Sequence, residues 1–366
     1  MKEPSENGTE RPGRSVTRSS LRDVARLAGV SASTASRVIA GSDHPVSEQS
    51  KARVLEAARI LDFRPNRVAR ALATARSYTI GVVVHDAADP YFAQIIRGLE
   101  DVLDENDYGL FVASSDLEPS TELTCIETFL SHQVDAIVLA ASAIDDPDHT
   151  AELSQVLDEF TGRGGQVVCL SDHPYPAGIV MIHNDQVATT ATQHLIGLGH
   201  RRIAYLAGPS RLLVNKTRQS GYVTALDRAG IDFDPHLVHE GDFTLESGRA
   251  ATDWLIESTD ATAAVGANDL MAIGLVRGLL DRDVRVPEQM SVIGIDDIPF
   301  ADYAPVPLTS VSIPLTELGR RGGMMVMGLL NGEEPAPAEV SHRLVQRAST
   351  MSLGASHPLV PVEDRR

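Results

Sequence analysis

Residues 20 to 40, SLRDVARLAGVSASTASRVIA, leave the chain few paths. Ser20 with Asp23 three positions later has the form of a capping box, and Leu21, Val24, Ala25 and Ala28 recur at the spacing of one helical face, so a short helix ends near Ala28. Gly29 can take the left-handed conformation that closes a helix, Val30 supplies an apolar plug for the corner, and Ser31 can cap a second helix. On that second helix Ala35 and Val38 face inward, which leaves Ala32, Ser33, Thr34, Ser36 and Arg37 for solvent or a ligand. The pattern predicts a tight helix-turn-helix, followed by a third helix over residues 46–62.

Charge says what such a unit would face. Residues 1–77 carry 14 Lys and Arg against 8 Asp and Glu, a net of +6, whereas the whole chain is at −18 and the remainder therefore at −24. A basic amino-terminal unit on an acidic body suits contact with nucleic-acid phosphates by one part and repulsion by the other. Twelve of the 14 cations are Arg, whose planar fork matches phosphates and guanine edges. A plain three-helix bundle would not require this asymmetry.

Beyond Arg76 short apolar runs alternate with helical stretches. TIGVVVHD, GLFVASS, DAIVLAA and QVVCLSD form one series of strands, and IVMIHND, RIAYLAG, LVHEGD, AAVGAND and SVIGIDD form another. Continuous apolar strands between helices predict parallel sheets covered on both faces, and their number suggests two sheets. The expected fold class is α/β with an amino-terminal all-α helix-turn-helix headpiece. Ligands of open α/β sheets bind at the carboxyl ends of strands, and these ends carry Asp86, Ser115, Asp172, Asn184, Asp242, Asn268 and Asp296. A polar rim at every strand end describes a cleft.

No phosphate loop, HExxH or GxSxG motif occurs, and the Gly162, Gly164 and Gly165 cluster precedes a strand, so it reads as a helix stop. Neither an enzyme nor a cofactor is expected. Cys125 and Cys169 offer no disulfide framework or metal cluster and are expected to be packing residues. No unbroken apolar run reaches membrane-span length, and MKEPSENGTERPGR lacks a signal-peptide core, so a cytoplasmic location is expected with no membrane partner.

GVSASTASRVIAG, RPNRVARALAT at 64–74, HLIGLGHRRIAYLAGP at 194–209, GANDLMAIG at 266–274 and VPEQMSVIGIDDIPFADY at 286–303 together resemble the lactose-repressor/galactose-repressor (LacI/GalR) family of transcription factors. The resemblance runs from about Ser20 to Met351. Ala35 stands where the family commonly has valine, and RLLV at 211–214 where it commonly has polar residues.

The resemblance implies a homodimer that binds double-stranded operator DNA and is controlled by a small-molecule effector held between two lobes like those of periplasmic binding proteins. The implied organisation is a tail at 1–17, a headpiece at 18–63, a hinge helix and linker at 64–77, an effector domain at 78–352 and a tail at 353–366. Lobe 1 would take 78–174 and 311–334, and lobe 2 would take 175–310 and 338–352. Ala32, Ser33 and Arg37 are the expected base readers, with Thr34 and Ser36 donating to phosphates. Asn66, Arg67 and Leu72 belong to the segment that resembles the hinge helix, with Leu72 placed in the minor groove. Carried over by motif, the effector pocket comprises Asp89 and Phe92 from ADPYF, Asp172 from LSDH, Arg218 from TRQSGY, Phe243 after GD, Asn268 from GAND and Asp296 from GIDD.

These residues suit a small polar ligand: Arg218 donates, Asp172 and Asp296 accept, Asn268 does both, and the two Phe offer apolar faces. Asn268 and Asp296 equally suit helix capping, and an isolated Phe equally suits the core. The RLLV segment points either to an apolar wall in the pocket or to a ligand unlike a simple sugar. The alternative is a solute-binding or ligand-sensing protein without operator binding, which would need no residues 20–72.

Overall fold

Capping and a left-handed corner shape the first unit. In the computed structural model, which describes residues 19–39, 45–63, 76–171, 173–334 and 336–354, the chain divides into two compact units, residues 1–77 and 78–366. The first contains α1 (Leu21–Ala28), α2 (Ala32–Ile39) and α3 (Glu48–Ile60). Ser20 Oγ accepts from the Asp23 N–H and the Asp23 carboxylate accepts from the Ser20 N–H, a closed capping box. Gly29 ends α1 at φ 63°, where a side chain would be strained. Ser31 Oγ then accepts from the Thr34 N–H at 3.1 Å. Val24, Ala25, Ala28, Ala35, Val54 and Ala57 form the buried core, with Val30 and Val38 half-buried against it. The third helix is shorter than expected, because Ser47 rather than Val46 is its cap, accepting from the Ser50 N–H.

The second unit has two six-stranded sheets. Its strands are β1 (Thr79–Val84), β2 (Gly109–Ser114), β3 (Ala136–Leu139), β4 (Gln166–Cys169), β5 (Gly178–Ile182), β6 (Ile203–Ala207), β7 (Val238–Glu240), β8 (Ala263–Gly266), β9 (Ser291–Asp296), β10 (Thr309–Ser312), β11 (Ala338–Val340) and β12 (Arg343–Val345). The first sheet runs β11-β5-β4-β3-β1-β2, all parallel. The second runs β12-β10-β9-β8-β6-β7, parallel except for β12, which is antiparallel to β10. Every residue of β3, β6, β8 and β9 is buried, as strands covered on both faces require.

Helices cover the sheets: α4 (Pro90–Glu105), α5 (Pro119–Ser131), α6 (Pro147–Gly162) and α11 (Leu315–Leu330) on the first, α7 (Asn184–Gly197), α8 (Leu213–Arg228), α9 (Leu245–Ser258) and α10 (Asp269–Asp281) on the second. α4 and α11 approach so closely that a Cβ on Gly98 would lie 2.0 Å from the Thr316 carbonyl, and one on Gly319 2.1 Å from that of Ile95. Cys169 is buried in β4, which pushes its thiol up to about 12, and half-buried Cys125 donates to the Ser114 carbonyl.

The strand pairing corrects the expected lobe boundaries. IVMIHND was expected in the second series, but β5 pairs with β4, so the chain leaves lobe 1 near His183 rather than at 175. Residues 309–312 lie in the second sheet beside β9, so the return to lobe 1 starts after Ser312 rather than at 311. Residues 338–340, expected in lobe 2, pair with β5 in lobe 1. Buried parallel strands share one apolar pattern whichever sheet they join, so only hydrogen bonding assigns them.

Candidate functional site

In the first unit, the turn at Gly29 aims the outer face of α2. Ala32, Ser33, Ser36 and Arg37 are exposed and Thr34 is half-buried. The Ser31 hydroxyl lies 2.8 Å from those of both Ser33 and Thr34, so two of the five expected contact residues already share a hydroxyl network with the cap. Arg37 stands in the last turn of α2, where its positive charge complements the negative end of the helix dipole. Asn66, Arg67 and Leu72 lie outside the described residues.

In the second unit, the strand ends of both lobes enclose a cavity of about 630 Å³. Asp89, Phe92, Arg218, Phe243, Asn268 and Asp296 all line it. Asp172 lies outside the described residues. Arg218, only 3% exposed on α8, is the hub of lobe 2. Its Nε donates to Asn184 Oδ1 at 2.9 Å, its Nη1 to the Ala267 carbonyl and its Nη2 to Asp296 Oδ1 at 2.8 Å. One guanidinium thereby ties the ends of three segments together.

Burial pushes the Asp296 carboxyl up to about 6, with Arg218 pulling it down and Asp89 adding to the rise. Its backbone, at φ 108°, is in a region that side chains rarely adopt, and Asp297 follows at φ 57°. Asp269 braces that turn: fully buried, it accepts from Ser310 Oγ at 2.6 Å and from the Ile298 N–H at 2.8 Å. Burial, reinforced by Asp296, raises its carboxyl well above the ordinary range. Asp89 caps α4 by accepting from the Tyr91 N–H at 2.8 Å, and burial raises it too.

Asn268 does what both readings of the sequence allowed. Its Oδ1 caps α10 by accepting from the Met271 N–H at 2.9 Å, while Nδ2 donates to the Phe243 carbonyl at 2.9 Å and so holds the Phe243 loop. Asp296 caps no helix. Phe243, at φ 69°, lays its ring against Gly208, where a Cβ would meet the ring at 2.1 Å. Phe92 is largely core, edge-on to His85 and Tyr91. Of RLLV, Val214 lines the cavity whereas Leu212 is buried away from it, so this segment adds one residue to an apolar lining that also includes Leu117, Leu245 and Leu270.

The cavity also presents His85, Tyr91, Ser142, Ser171 and Phe300, none of which was anticipated. Tyr91 and Phe300 lie within ADPYF and GIDDIPFADY, beside the polar residues that mark the site. His85 and Ser142 follow β1 and β3, where the apolar runs stop. Among the described residues no group of three or more His, Cys, Asp or Glu side chains could hold a metal ion, and no helix is long and apolar enough to cross a membrane.

Residues 20–66 match the family described as bacterial regulatory proteins, lacI family, and residues 192–350 match the periplasmic binding protein-like domain. The chain is 36% identical to the HTH-type transcriptional regulator CelR of Thermobifida fusca, over 90% of this chain and 98% of that protein. It is 32% identical to the catabolite control protein A of Priestia megaterium, over 90% and 98%. Among solved structures, a CelR–cellobiose complex matches with a TM-score of 0.67 at 34% identity, covering 91% of this chain and all of that one. The lac repressor dimer bound to operator and the anti-inducer ONPF matches with a TM-score of 0.78 at 27% identity, covering 92% and 100%. The helix-turn-helix, the two-lobed α/β unit and these similarities over nine-tenths of its length establish that the chain belongs to the LacI family of DNA-binding transcriptional regulators and is not an enzyme.

Proposed function

We propose that the protein is a cytoplasmic homodimeric repressor that reads a palindromic operator with α2 and is controlled by a neutral glycoside or polyol held in the interlobe cavity. The observation that carries the ligand class is the charge of the lining: Asp86, Asp89, Asp116, Asp242, Glu246 and Asp296 face it, against Arg218, while burial lowers the His85 imidazole and leaves it neutral. Arg218 is already paired with Asp296, so little positive potential remains for an anion. Carboxylates accept from hydroxyls, and Phe243 and exposed Phe300 on the lining supply apolar faces for a sugar ring. Similarity to the CelR–cellobiose complex agrees with a sugar of one or two rings. Ala32, Ser33, Thr34, Ser36 and Arg37 are assigned to DNA on the strength of their outward placement, and Asn66, Arg67 and Leu72 on family resemblance.

Calorimetry with cellobiose, monosaccharides and their phosphates, followed by operator binding with each hit, tests this reading. Neutral sugars should bind and change operator affinity. Tighter binding of the phosphorylated sugars would overturn the ligand class. An inducer and a corepressor differ in the sign of the change.

A further inference from the structure

The segment Arg211–Lys216 reaches across the cleft and docks on the loop that follows β3. The Leu213 N–H donates to the Ala143 carbonyl at 3.0 Å and the Asp145 N–H to the Arg211 carbonyl at 2.6 Å, while Ile144 and Leu212 pair as an antiparallel bridge. The Val214 N–H donates to Ser142 Oγ at 3.0 Å. Two ion pairs flank the bridge, Lys216 with Asp145 and Arg211 with Glu118. Leu212 and Ile144 are buried beneath them. The side chains of Val214 and Ser142 form part of the cavity wall.

The sheet order places this contact away from the hinge. The chain crosses between lobes from β5, β10 and β11, which lie at or next to one edge of each sheet, whereas β3 is two strands from β5 and β6 is three from β10. At about 4.8 Å per strand the contact lies ~10 Å or more from the crossovers. A rotation of ~20° about the crossovers would move it by ~3.5 Å, beyond the reach of a hydrogen bond. The lobes cannot part with this contact intact.

We propose that Ser142–Asp145 and Arg211–Lys216 form a latch that holds the lobes together through protein contacts alone and limits how widely the cleft opens, and with it access to the buried part of the cavity wall around Ser171. The inference rests on the cleft being the ligand site, but not on which ligand it takes. It gives the unusual Arg211–Lys216 segment a role in setting cleft opening, beside the one side chain, Val214, that it lends to the cavity wall. The hydrogen bonds and exposed ion pairs are individually weak, so the latch opens transiently and each contact sets how often.

The test needs no effector. Ser171→Cys places a thiol in the cavity wall, and the rate at which a thiol reagent modifies it, read by peptide mass spectrometry against Cys125 and Cys169, measures access. Leu213 is the first residue of α8 and Leu212 before it is extended at φ −96°, ψ 135°, so Leu213→Pro deletes the donor to Ala143 while leaving the helix start acceptable. Modification should accelerate about threefold to tenfold with Leu213→Pro. Lys216→Asp, which sets like charges together, should act similarly without touching the backbone, and Asp145→Lys with Lys216→Asp should restore the slow rate. Equal rates in all four backgrounds would overturn the latch. A failed sugar titration with latch-dependent labelling would instead count only against the proposed ligand class.

Discussion

At the scale of single residues, the two candidate sites differ in how completely the protein satisfies its own functional groups. Arg37 is exposed at the end of α2, and a bidentate contact to a base edge contributes on the order of 1 to 3 kcal/mol. Arg37→Ala should therefore weaken operator binding by that amount and relax preference at one symmetric base pair; normal affinity with unchanged preference in a binding-site selection would exclude it as a reader. Asp296 is the opposite case, buried and paired. Its carboxyl sits at about 6 in the folded protein against an ordinary 3.8, so the folded chain holds this proton more tightly than the unfolded chain. The contribution of Asp296 to stability consequently falls as pH rises from about 4 to about 6 and is level above that. Asp296→Asn removes this titration, so the unfolding free energy of wild type minus that of the variant should be more positive at pH 4.5 than at pH 7. Urea unfolding at the two pH values measures it, and a difference that turns more negative on acidification contradicts the raised value.

At the scale of elements, the legibility of the sequence followed the range of the interactions involved. The capping box at Ser20, the corner at Gly29 and the cap at Ser31 are set by residues within four positions of each other, and each was readable as written. The lobe assignment of β5 depends on which distant strand it hydrogen-bonds, and its five residues carry no mark of that choice. Asn268 and Asp296 were readable as strand-end polar groups; the Asn268 cap is a local bond to Met271, but that Asp296 would be an ion pair was decided by Arg218, which lies 78 positions from it. The α4–α11 packing is a further long-range feature that no local pattern disclosed. Gly98→Ala would push a methyl group into the Thr316 carbonyl and force the helices apart, a loss of about 1 to 3 kcal/mol. Gly162→Ala, at the end of α6 with nothing within 4 Å of the added carbon, should be neutral or slightly stabilising. Equal urea midpoints for the two variants would show that α4 and α11 yield without cost.

At the scale of the whole molecule, the chain divides its labour by charge. Residues 1–77 carry a net of +6 and the remainder −24, so attraction to a phosphate backbone is confined to the small unit and is opposed by the large one. Binding that neutralises about 6 to 10 phosphates releases as many counterions, and operator affinity should drop by roughly three to five orders of magnitude between 50 and 200 mM salt. The cavity behaves otherwise. A neutral ligand brings no charge to screen, and Arg218 and Asp296 are paired behind protein rather than across solvent, so sugar affinity should change little over the same range. Measuring both binding constants on one preparation across that salt series separates the two sites without any mutation. An effector whose affinity falls in parallel with operator affinity would be a charged one, and the acid-lined cavity would then have to be reassigned to a cation.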